Sequence, residues 1–152
     1  MANSQAMCTS FKQDLLNGLH AFGTSVVRAA TTADTFFGAL YLASGSLGAS
    51  TTAYSATSEV SGTNYTAGGQ TVGTWNAPTT SGTTAYTTPT ANLSWSTVTL
   101  STAFDTLLVY NSTAAGKNAV GVYTFGSQTV TAGNFTLTMP TNSNTLALIR
   151  IA

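Results

Sequence analysis

Residues 91–139 read ANLSWSTVTLSTAFDTLLVYNSTAAGKNAVGVYTFGSQTVTAGNFTLTM, and the alternation of their side chains decides the fold. Phe135, Leu137 and Met139 alternate with Thr136 and Thr138, the period-two pattern of a half-buried strand whose hydroxyls face water. Leu93 and Trp95 share one parity while Val98 and Leu100 share the other, a switch that predicts a β-bulge within 91–100. An apolar run over 104–110 stops at the turn signal of 111–116. Val120 and Val122 then alternate with Gly121 and Tyr123 over 118–125. Pro140 and Asn142 break the run at 134–139, and 145–151 closes the chain with Ala147, Ile149 and Ile151 against Leu146, Leu148 and Arg150.

The same composition continues upstream. Residues 25–28 (SVVR), 36–43, 53–57 and 70–76 have strand character, whereas 77–89 is rich in Thr, Ser, Gly and Pro around Tyr86 and reads as loop or edge strand. The result is about eight or nine short strands with turn signals every 8–12 residues, the pattern of an all-β sandwich or barrel. Two packed sheets protect more edges than one open sheet would. The expected fold is therefore an all-β, two-sheet β-sandwich, jelly-roll-like, with a short N-terminal helix or arm. The helix is expected at about 11–22, where Ser10 and Gln13 have capping-box form and Phe11, Leu15, Leu19 and Phe22 recur at helical spacing. Residues 1–33 are then the arm and 34–152 the body.

Bulk properties narrow the function. The 152 residues suffice for one domain with a real core, since a domain of about 150 residues buries roughly 68–70% of its unfolded surface. Charged residues are 5% of the chain and net charge is zero, against about 25% charged in ordinary soluble proteins. Aromatics at 10%, with abundant Val, Ile and Thr, argue for folding over disorder. So neutral a surface favours association, which points to a subunit covered by neighbours. Nucleic acid is not expected as a partner, because no Lys or Arg lies between Arg28 and Lys117. A single cysteine, Cys8, cannot form an intrachain disulfide. The N-terminus lacks signal-peptide features and no apolar run has membrane-span length, so the expectation is a cytoplasmic protein, or part of something assembled there.

No catalytic set is legible. Asp14, Asp34, Glu59 and Asp105 are scattered, His20 has no acidic neighbour in sequence, and one His with one Cys offers no metal-ligand cluster. Neither an enzyme nor a cofactor is expected. Tyr65, Trp75, Tyr86 and Trp95 could form a sugar-stacking platform, but such rings more commonly sit in cores with their hydroxyls bonded. The central stretch 54–69, YSATSEVSGTNYTAGG, is a glycine-punctuated loop that holds Glu59, the only charged residue between Asp34 and Asp105. Glu59 is expected to accept backbone N–H bonds there, and Glu59, Asn64 and Tyr65 to order the loop.

That loop, together with LSTAFDTLLVYNSTAAGKNAVGVYTFGSQTVTAGNFTLTMP (residues 100–140), resembles a family of small structural proteins of tailed bacteriophages and prophages. The resemblance spans roughly 35–152 and is greatest to capsid cement or decoration proteins. It implies a non-enzymatic virion protein that binds the outside of the shell and stabilises it by bridging adjacent major capsid subunits. The implied partners are the major capsid protein and further copies of this chain, as dimer or trimer, with no nucleic acid and no membrane. The implied location is the capsid surface, assembled in the bacterial host cytoplasm. A neck, head-fibre or tail component with carbohydrate binding is the alternative. The contact residues expected on this basis are Phe11, Leu15, Leu19, Phe22, Glu59, Asn64 and Tyr65.

Overall fold

A computed structural model describes residues 3–8, 11, 15, 19–22 and 32–152. Among these the chain is all-β, with two antiparallel sheets, as expected of a β-sandwich. The strands in chain order are β1 (Ala6–Met7), β2 (Phe36–Leu42), β3 (Gln70–Thr71), β4 (Thr79–Ser81), β5 (Thr84–Thr87), β6 (Leu93–Asn111), β7 (Ala119–Leu137) and β8 (Ile149–Ile151). The larger sheet has the order β1-β7-β6-β2-β3 and the smaller one β4-β5-β8.

The stretch quoted first is one long hairpin rather than four short strands. β6 and β7 are 19 residues each and pair from Leu93↔Leu137 to Tyr110↔Ala119. The apparent breaks in their patterning are bulges. Between the pairs Leu100↔Val130 and Phe104↔Gln128, residues 101–103 of β6 face Thr129 alone, and 125–127 of β7 then face Asp105 alone before Thr106↔Thr124. Extra residues on first one strand and then the other bend the ribbon without breaking it. The parity switch at 95–98 is likewise a register shift, where Thr97 adopts φ 53°.

Other expectations change in the same way. Only Ala53, bridged to Asn118, represents the strand expected over 53–57. The strand expected over 70–76 shortens to β3, with Trp75 bridged to Pro89. Of the loop or edge strand expected over 77–89, the edge strand is found: the segment holds the β4–β5 hairpin, with β4 at the sheet edge and the turn at Gly82, φ +59°. Of 145–151 only β8 is strand, preceded by a turn closed by Ala147 N–H donating to the Ser143 carbonyl. The strand expected at 25–28 lies outside the described residues, as does most of the helix expected over 11–22. Of its described residues, Phe11 and Leu15 are helical, whereas Leu19 to Phe22 are not.

The core explains these elements. From Thr106 to Asn111 every β6 residue is buried, so the strand is covered on both faces and reads as an apolar run. β2 pairs with it from Phe36↔Asn111 onward and is itself almost wholly buried. Two aromatic clusters fill the body. Phe104 meets Phe135 edge to face at 4.9 Å, next to Trp95 and Phe125. Trp75, Phe36 and Phe22 form the other, with Phe22 stacked on Phe36 at 4.7 Å. Trp75 is 3% exposed and Trp95 5%, so neither offers a face to a sugar. Each aromatic truncated to Ala in such a core costs about 3–5 kcal/mol.

Candidate functional site

The central loop is built onto the sheet rather than projecting from it. Val60 N–H donates to the Leu40 carbonyl and Leu42 N–H to the Ser58 carbonyl, so 58–60 continues the edge of β2 beside β3. Further along β6, where β2 has ended, Thr99 N–H donates to the Thr63 carbonyl at 3.2 Å and the Asn64 side chain donates to the Thr97 carbonyl at 2.9 Å. Two glycines make this close approach possible. A Cβ on Gly62 would overlap the Thr99 carbonyl oxygen, and one on Gly69, which has φ +75°, would overlap the Gly38 carbonyl oxygen.

Glu59 ties the loop together. Its Oε2 accepts from the Tyr54 hydroxyl at 2.7 Å, and its Oε1 accepts from the Tyr65 hydroxyl at 2.8 Å and from Gly68 N–H at 2.7 Å. The Tyr65 oxygen in turn accepts from Leu40 N–H at 3.0 Å, which anchors the carboxylate to β2. Tyr110 on β6 donates to the Gly68 carbonyl at 2.8 Å, and Tyr41 on β2 donates to the Ser55 carbonyl. Burial pushes the Tyr41, Tyr54, Tyr65 and Tyr110 hydroxyls above the ordinary tyrosine range, and the Glu59 charge adds to the shift. All four therefore remain hydroxyl donors at neutral pH.

The residues expected from sequence divide into two places. Glu59, Asn64 and Tyr65 do meet in the loop, Glu59 and Tyr65 half-buried and Asn64 exposed. Phe11 is buried, and Leu15 and Phe22 pack against the chain's own core; Leu19 is half-buried. Sequence reading missed Tyr41 and Tyr110 as members of the Glu59 network. It also missed a buried polar cluster at the other end of β2. There the Asn111 Oδ1 accepts from Thr113 N–H and Ala114 N–H, which fixes the amide orientation. Its Nδ2 then faces the Asp34 carboxylate at 2.8 Å and His20 Nδ1 at 3.1 Å, so that His20 Nδ1 is the acceptor and the ring proton sits on Nε2. His20 thus has an acidic neighbour in space, Asp34, through Asn111.

Chemically these sites are hydrogen-bond clasps. The carboxylates of Glu59, Asp34 and Asp105 each accept bonds from within the chain, Asp105 from Asn3 and Thr106. Cys8 is buried and its thiol is pushed up to about 11 by desolvation, so it is not a thiolate at neutral pH. Among the described residues, no group of three His, Cys, Asp or Glu could hold a metal ion, and no helix is long and apolar enough to cross a membrane. Comparison of the chain with protein-family models, curated proteins and solved structures finds no match.

Proposed function

We propose that this chain is a non-enzymatic structural protein of a tailed-phage virion, which binds the outside of the capsid shell and bridges adjacent major capsid subunits. The observation that carries the proposal is the neutral surface around the bend of the hairpin. Residues 93–104 and 124–137 contain no Asp, Glu, Lys or Arg, Ser101, Thr102, Ala103, Ser127, Gln128 and Thr129 are all exposed there, and the one carboxylate at the bend, half-buried Asp105, is engaged by Asn3 and Thr106. A charge-free face of hydroxyls and small side chains can be buried against a neighbour without desolvating ions, the costly part of forming an interface. The tied-down central loop supports the same function, because a preorganised surface loses little conformational entropy on binding. Within this proposal the body is jelly-roll-like, the N-terminal helix is shorter than 11–22 and ends before Leu19, and the protein works as a dimer or trimer. Asn64, Leu15 and Leu19 retain surface for a partner, while Phe11, Phe22, Glu59 and Tyr65 are engaged within the chain.

The deciding experiment is the copy number of this protein in purified virions, by quantitative mass spectrometry against the major capsid protein. Hundreds of copies in a simple ratio to the capsid protein are expected. A dozen copies would move the protein to the neck, fibres or tail, and absence from particles would overturn the virion assignment. Shell binding should also weaken little between low and moderate salt, because screening acts on charges that this surface lacks. A steep loss of binding with salt would contradict that expectation.

A further inference from the structure

The two sheets meet along a groove that the loop and hairpin described above do not use. β1 is the outermost strand of the larger sheet and β8 that of the smaller one. Between them lies a groove of about 470 Å³, lined by Ala6 and Met7 on one rim and by Leu146, Leu148 and Arg150 on the other. That volume falls within the roughly 300–1,000 Å³ of ligand sites. Tyr123 also lines the groove and joins its sides, its hydroxyl donating to the Leu148 carbonyl at 3.3 Å.

Strand alternation divides the side chains of β8. Ile149 and Ile151 line an apolar cavity with Phe11 and Phe22, whereas Arg150 lines the groove. Arg150 is exposed, and among the described residues its one hydrogen bond is from Nη1 to the Thr145 carbonyl at 2.5 Å. A guanidinium has five N–H donors in a fork that matches a carboxylate, so most of its capacity is unused. Beside it Leu146 is 60% exposed, the most exposed large apolar side chain among the described residues.

We propose that this groove docks an extended peptide segment of a partner protein, carrying a carboxylate next to aliphatic side chains. Strand edges on both rims suit an extended backbone, Leu146 and Met7 suit the aliphatic groups, and Arg150 suits the carboxylate. The proposal stands apart from the virion assignment, since it can succeed or fail whatever assembly the partner belongs to.

The test uses the full chain and fluorescein-labelled, acetylated and amidated peptides of sequence VDLDV and VNLNV, followed by fluorescence anisotropy. A third peptide, VNLNV with a free C-terminal carboxylate, separates a terminal carboxylate from a side-chain one. VDLDV, or the free-acid peptide, should bind about tenfold more tightly than amidated VNLNV. Arg150→Gln should abolish that difference while leaving the thermal midpoint unchanged, because the side chain is exposed. Leu146→Ser should weaken the carboxylate and amide peptides by the same factor. Equal binding of all three peptides, no binding at about 1 mM, or a preference that survives Arg150→Gln would overturn the proposal.

Discussion

Replacing Glu59 tests whether the central loop is held by one carboxylate. In Glu59→Gln the amide oxygen can keep the position of Oε1 and still accept from Tyr65 and Gly68. It must keep that position, because the Tyr65 oxygen already accepts from Leu40 N–H and its proton has only the carboxylate to go to. The new amide nitrogen then faces Tyr54, whose hydroxyl can rotate and accept instead. What is lost is the charge assistance, about 1–2 kcal/mol for a half-exposed group. Glu59→Ala differs in kind, since it strands the Tyr65 hydroxyl and Gly68 N–H together. At about 1–3 kcal/mol for each unsatisfied donor, and taking the lower half of that range because water reaches the site, the cost is about 2–4 kcal/mol. A domain of this length loses roughly 2–4 °C per kcal/mol, so the thermal midpoint should fall by about 2–8 °C for Gln and about 4–16 °C for Ala. Differential scanning calorimetry reads both. A Gln variant that melts with the wild type, or an Ala variant no worse than Gln, would refute the single-carboxylate account.

Gly69→Ala and Gly73→Ala separate steric overlap from backbone strain, since both have φ near +75° but only Gly69 has a carbonyl in the way of a Cβ. Gly73→Ala should cost about 1–2 kcal/mol and Gly69→Ala well over 3 kcal/mol in urea denaturation, and equal costs would contradict the packing described. The raised tyrosines make stability fall at alkaline pH. Their folded values lie above the unfolded one, so the folded state holds protons that the unfolded chain releases. The contribution is whole below about pH 10 and declines above it by at most about 1.4 kcal/mol per pH unit for each of the more deeply buried Tyr41 and Tyr65. Urea midpoints that stay level from pH 9 to pH 11 would contradict this sign. Cys8, buried with its thiol raised, should react with iodoacetamide only as fast as the protein opens, and immediate labelling of the native chain would place it on the surface.

Alternation of side chains was enough to place strand in β2 and along the long β6–β7 hairpin, because a residue's parity depends only on its immediate neighbours. It did not recover strand length. The two halves of β6 look separate because residues 101–103 are extra, and sequence patterning cannot distinguish a bulge within a strand from a turn between two. The same locality limits what was legible at the loop. Glu59 and Tyr65 are six residues apart and could be read together, whereas Tyr110 reaches the loop from 42 residues beyond Gly68 and carries no mark that separates it from a core tyrosine. His20 has no acidic neighbour in sequence, whereas in the fold Asp34 comes to it through Asn111, 91 residues downstream, and through the N–H of Ala21.

The Glu59 and Asn111 networks have a common physical form. In each, a polar side chain close to the core reaches backbone groups that no strand can pair: Glu59 takes Gly68 N–H, and Asn111 takes the N–H groups of Thr113 and Ala114. Such groups must find partners because an unpaired one costs about as much as a lost hydrogen bond. A chain with few ions has few ways to meet that demand, and Glu59, Asp34 and Asn111 each serve several donors at once. Low charge and concentrated polar function are then one property. The charges of Glu59 and Asp34 are directed inward to hold segments of the chain on the sheet, and the exposed face of the bent hairpin is left to uncharged side chains.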